Sequence, residues 1–159
     1  MAKKVCLYGI LSAICIVLGY VEHFLTPVFI APGIKLGLSN AVVLLLVLKR
    51  DIKGAFLVNI ARILLSALLF SSPSVLLYSL PAGVFSVSGM AVISNFKVFG
   101  TVGFSIIGAL LHNITQLFCA LYLLGSGVLY YAPALLISAL VSGVVIGMLG
   151  NLIFKKISI

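Results

Sequence analysis

Arg62 stands inside an apolar run, three positions after Asn59 and four before Ser66, a spacing that puts all three on one helix face. A guanidinium carries its N–H donors in a planar fork that matches a carboxylate or phosphate. A second polar set, His112, Asn113 and Gln116, interrupts another apolar run. His112 and Gln116 share a face there with Ser105, Ala109 and Cys119. Lys35 and Asn40 flank the start of a further run, and Glu22 and His23 close the first. The only carboxylates in the chain are Glu22 and Asp51. Lys35 and Arg62 thus outnumber Glu22 near the polar set, which favours a ligand with an anionic group. A structural reading stands beside this one. In it, Asn113, Gln116 and helix carbonyls hold Arg62, and the polar residues bind helices to one another.

Other chemistries lack their residues. No G-x-x-x-x-G-K-[ST] segment is present to cradle a nucleotide phosphate, so the chain cannot couple ATP to work by itself. His23 and His112 have no H-E-x-x-H context, and no Ser sits in G-x-S-x-G. Two isolated carboxylates make no metal-binding cluster. Cys6, Cys15 and Cys119 show no ligand spacing and read as small packing residues. The expectation is a protein that is not an enzyme and holds no cofactor or metal.

The elements that must position these residues follow from composition. Of 159 residues, 64% are hydrophobic and 8% charged, with a mean hydropathy of +1.40. A water-soluble fold of this size could not hide so much apolar surface. In lipid, backbone polar groups must be satisfied internally, and long continuous apolar runs select helices over a barrel. The fold class expected is all-α, a single transmembrane domain over 1–159. Six spans are expected at about 5–20, 36–48, 54–70, 75–94, 102–124 and 132–154, with an outer loop at 22–35. The first run, preceded by Lys3 and Lys4, lacks a small-residue cleavage site and reads as a retained helix rather than a signal peptide.

Six spans place Lys3, Lys4, Lys49, Arg50, Lys53, Lys97, Lys155 and Lys156 on one side, which the positive-inside rule makes cytoplasmic. Both termini are then inside, in a cell membrane. The net charge of +8 thus marks topology rather than nucleic-acid binding. Pro27, Pro32, Pro73, Pro81 and Pro133 all fall at or near the outer side. Irregular backbone at membrane depth is tolerated where protein buries it or where it lines a cavity. The segment 22–40 is therefore expected to fold back over the bundle. Gly9 and Ala13, and again Ala139, Gly143 and Gly147, recur every four residues, a pattern that lets helices approach closely.

Three motifs in order carry a resemblance: Pro32-Gly33-Ile34-Lys35-Leu36-Gly37-Leu38-Ser39-Asn40, then Ala61-Arg62-Ile63-Leu64-Leu65-Ser66-Ala67-Leu68-Leu69-Phe70, then Leu110-Leu111-His112-Asn113-Ile114-Thr115-Gln116. Together they resemble the Gx transporter family, long labelled heptaprenyl diphosphate synthase component I. That family is similar to the substrate-binding S components of energy-coupling factor (ECF) transporters. The resemblance implies a six-helix protein with both termini inside and a substrate site capped by the loop between helices 1 and 2. Glu22, Lys35, Asn40, Asn59, Arg62, His112, Asn113 and Gln116 are the candidate ligand residues. It also implies partners, a transmembrane coupling subunit and two ATPases, with Gly9 and Ala13 as the candidate docking motif. A role with quinone or isoprenoid species is the rival implication. Prenyl chain elongation itself needs Asp-rich Mg²⁺ ligands, and Asp51 is the one Asp in the chain.

Overall fold

A computed structural model describes residues 2–29, 37–70, 72–96 and 99–157; for residues 23, 25–29 and 157 it describes the backbone alone. The described residues form six α-helices and no strand: α1 (Ala2–Phe29), α2 (Asn40–Leu48), α3 (Ile52–Phe70), α4 (Leu76–Ile93), α5 (Thr101–Leu124) and α6 (Ala132–Ile157). A 3₁₀ turn at Pro73–Val75 leads into α4, and another at Ser126–Tyr131 leads into α6. Proline starts the first of these at a position whose N–H has no helical partner anyway.

Five of the helices are long and apolar enough to cross a membrane, and α2 is not among them. Its nine residues rise about 14 Å, against the roughly 30 Å of a bilayer core. The expected second helix was 36–48; backbone at 37–39 forms a turn instead, and α2 begins at Asn40. Helix 1 differs in the other direction. It runs to Phe29 instead of stopping near residue 20, so Glu22 lies in a helix and not in the expected loop 22–35. Lys35 lies outside the described residues.

Contacts fix the directions. Tyr8 meets Asp51, and Glu22 meets Gly37 and Leu38, so α1 and α2 are antiparallel. Gln116 reaches Ser79, and Ser86 reaches the Gly108 carbonyl, so α4 and α5 are antiparallel too. A Cβ built at Gly143 would lie 2.7 Å from Ile106 Cα, and one at Gly147 2.6 Å from Val102 Cα. Those two glycines let α6 lie against the α5 backbone, antiparallel to it, and they place the Ala139–Gly147 stripe inside the bundle. Directions alternate along the chain. The start of α1, the α2–α3 turn and the end of α6 therefore share one end.

The short α2 forms the centre. Val43, Leu44 and Val47 are almost fully buried, and α2 touches every other helix. Around it, α1 packs on α3, α3 on α4, α4 on α5 and α5 on α6. No contact joins α1 to α6 among the described residues, so the ring is open on that side, with α2 as the shared neighbour. Large apolar side chains on the outside, such as Val5, Leu68, Phe85, Phe118 and Leu152, are exposed. A soluble protein would not leave so many uncovered, whereas lipid solvates them.

Candidate functional site

Asn40 begins α2 opposite Arg62, and Arg62 is ten residues into α3, about 15 Å along that helix. A helix that starts there starts opposite the middle of α3, one of the helices long and apolar enough to cross a membrane. The backbone leading into it has N–H groups that no helical carbonyl can accept, and lipid offers none. Side chains from α1 and α3 answer this need.

Glu22, 4% exposed, accepts the Gly37 and Leu38 amides with its two carboxylate oxygens, the second at 3.1 Å. Gly37 turns the chain with φ +73°, a left-handed conformation that suits glycine. Asn40 N–H then returns to the Gly37 carbonyl at 2.7 Å, tightening the turn. Arg62 binds the other side: Nη1 donates to Ser39 Oγ at 2.7 Å, Nη2 to Asn40 Oδ1 at 2.6 Å and Nε to Asn59 Oδ1 at 3.0 Å. The Cys15 thiol completes the set by donating to the Ser39 carbonyl at 3.6 Å. Glu22 and Arg62 sit close enough to attract one another. The carboxylate is the charge that a helix N-terminus favours, whereas the guanidinium beside it opposes the dipole and is held by side-chain oxygens and by the nearby Glu22.

Four candidate residues therefore come together: Glu22, Asn40, Asn59 and Arg62. Two of the other described candidates, Asn113 and Gln116, bond elsewhere. α3 and α5 make no contact. Asn113 donates to the Leu135 carbonyl of α6 at 2.9 Å, and Gln116 to Ser79 Oγ of α4 at 3.5 Å. His112 is half-buried on α5 and is not without a partner. The structural arrangement expected for Arg62, with Asn113 and Gln116 as its partners, is thus replaced by Asn59, Ser39 and Asn40. The reason is length: because α2 starts so late, its first polar residues face Arg62.

Asn59 is 1% exposed, and its Nδ2 has no acceptor. It lies against Gly83 of α4, where a Cβ would come within 2.7 Å of it. The residues that sequence reasoning left out are Tyr8, Cys15 and Ser39. Tyr8, Cys15 and Glu22 recur every seven residues and face α2 and its flanking turns, a seam visible in the sequence. Ser39 stood inside the first quoted motif.

A crevice between α2, α4, α5 and α6 is lined by Asn40, Ser86, Ser105, Ser142, Leu44 and Met90, among others, with a cavity of about 20 Å³. That is room for a water molecule and no more. At the opposite end from the Glu22 site, Tyr8 donates to Asp51 Oδ2 at 2.6 Å, and Asp51 Oδ1 accepts the Gly54 amide at 3.1 Å. Asp51 thereby caps α3 and ties it to α1. The Tyr8 hydrogen bond, the Gly54 amide and Lys4 hold its carboxyl below the usual range. Gly9 and Ala13 are exposed on α1, and nothing lies within 4 Å of a Cβ built at Gly9. No group of three or more potential metal ligands occurs among the described residues.

Comparison with curated proteins and with solved structures gives no match. Residues 11–153 match the family described as heptaprenyl diphosphate synthase component I. The match spans most of the chain, and the chain belongs to that family.

Proposed function

From that membership we propose that the chain is the substrate-binding subunit, the S component, of an ECF-type importer in a prokaryotic cytoplasmic membrane. It captures a small, partly apolar anion at the outer face and catalyses no reaction. The observation that carries this reading is the short helix that begins opposite the middle of α3 with Glu22, Asn40, Asn59 and Arg62 around its N-terminus. Broken helices of this kind supply ligand sites in transporters, because their exposed amides and dipoles bind charge where water is absent. In this reading the second crossing consists of α2 with the segment before it, which makes six crossings and puts both termini inside.

The site as described is closed. Three Arg62 nitrogens already bond to the protein, and the adjoining cavity holds only a water. Two of the five Arg62 N–H donors are left for a ligand, but space for one opens only if the α1–α2 connection moves, so binding and that movement are one event. A transmembrane coupling subunit and two ATPases drive release inward, and the open surface at Gly9 and Ala13 is the docking face for the coupling subunit.

The family description supports a second reading, a membrane component that handles an isoprenoid or quinone species for a separate synthase or redox partner. One experiment separates the two. Native mass spectrometry of the detergent-purified complex, with extraction of bound small molecules, is expected to yield a stoichiometric anionic metabolite together with ATPase subunits. A bound prenyl diphosphate or prenylated quinone, with no ATPase, would favour the second reading and sink the first.

A further inference from the structure

The end of the bundle where both termini meet is basic to a degree that helix packing does not use. Lys3 and Lys4 begin α1, Lys49, Arg50 and Lys53 surround the α2–α3 turn, and Lys155 and Lys156 end α6; all are exposed. Asp51, the acid at that end, is bonded to Tyr8 and the Gly54 amide and lies near Lys4, so it offsets one of these seven charges. Arg50 adds a separate sign. It holds φ +58°, the one non-glycine residue with positive φ among those described. The α2–α3 turn places it in the left-handed position that closes a helix, where glycine is the unstrained choice. A cation is kept there against the preference of the backbone.

These residues surround the open side of the ring. α1 and α6 each carry two lysines at this end, do not touch, and both pack on α2. Beside the cations, α1 exposes Val5 and Leu7, and α6 exposes Leu149, Leu152 and Ile153; apolar flanks with cations at one end fit a molecule that has an anionic head and hydrocarbon tails. We infer that the α1–α6 side is a binding site for an anionic phospholipid, its headgroup held by Lys4, Lys49, Arg50 and Lys155 and its acyl chains lying along the exposed apolar residues of α1 and α6. The site is separate from the one around Arg62 and does not depend on the substrate reading.

Each basic residue near a headgroup contributes about a fivefold change in affinity. Purified protein is mixed with equal amounts of phosphatidylglycerol and phosphatidylcholine, and retained lipid is counted by native mass spectrometry. Wild type is expected to retain phosphatidylglycerol preferentially. Lys49→Gln with Arg50→Gln should lower that retention by roughly 25-fold and leave phosphatidylcholine unchanged; Lys155→Gln with Lys156→Gln should lower it too. Arg50→Gly provides the sharper reading, because it relieves the backbone while removing the charge. It should melt no lower than wild type in phosphatidylcholine, yet retain about fivefold less phosphatidylglycerol. Equal retention of both lipids by wild type overturns the proposal. So does phosphatidylglycerol retention that survives either double substitution, or an Arg50→Gly protein that loses both lipids alike.

Discussion

Arg62 and Glu22 solve one electrostatic problem between them. A carboxylate in a bilayer interior is costly, and so is a guanidinium, but each here has hydrogen-bond partners and lies near the other. Removing one leaves the other buried and unbalanced. Arg62→Ala is expected to lower stability by roughly 3–5 kcal/mol, measured by denaturant titration in detergent micelles. Glu22→Gln, which keeps the shape and removes the charge, should cost about 1–3 kcal/mol through weakened bonds to Gly37 and Leu38. Asp51 gives a pH dependence. Its carboxyl is held below the ordinary value in the folded protein, so the stability it contributes is fully present above the unfolded value of about 3.9. That contribution is lost as pH falls through the lower folded value. Melting temperature should therefore drop below about pH 4 in wild type, and Asp51→Asn should be less stable at neutral pH and lack this drop.

At the level of elements, the small-residue stripes separate by use. Gly143 and Gly147 lie against α5 backbone atoms, which cannot move aside as a side chain could. Gly147→Leu should push α5 and α6 apart and cost at least 1–3 kcal/mol, visible as a lower melting temperature. Gly9 meets open space. Gly9→Leu should melt like wild type, and if this face docks a coupling subunit, pull-down of that subunit should fail. A Gly9→Leu protein that still recovers its partner in full would remove α1 as the docking face. The same spacing thus has two meanings. Only the neighbours tell them apart.

For the whole molecule, alternating helix directions put the start of α1 and the end of α6 together, and we propose from the basic residues there that this end faces inward. With the three native cysteines replaced by alanine, Lys156→Cys should be labelled by an impermeant maleimide in inverted vesicles. Ser126→Cys, before α6, should be labelled in intact cells. The reverse pattern would reject the inward placement of the termini and, with it, the outward-facing receptor.

What the sequence determined by itself is the solvent, the helices and their pairing into long apolar segments, because hydropathy and charge act locally and add along the chain. It also singled out Glu22, Asn40, Asn59 and Arg62, because a polar residue in an apolar run is conspicuous without knowing its neighbours. The start of α2 was not legible. Apolar residues from Leu36 onward fit a helix as well as a turn, and the choice was made by Glu22 and Arg62 capping the turn from two other helices. The separation of Asn113 and Gln116 from Arg62 was decided in the same way, by α4 standing between α3 and α5. Periodicity reports which face of a helix is polar. Which helix that face meets depends on packing order, and that belongs to the tertiary structure.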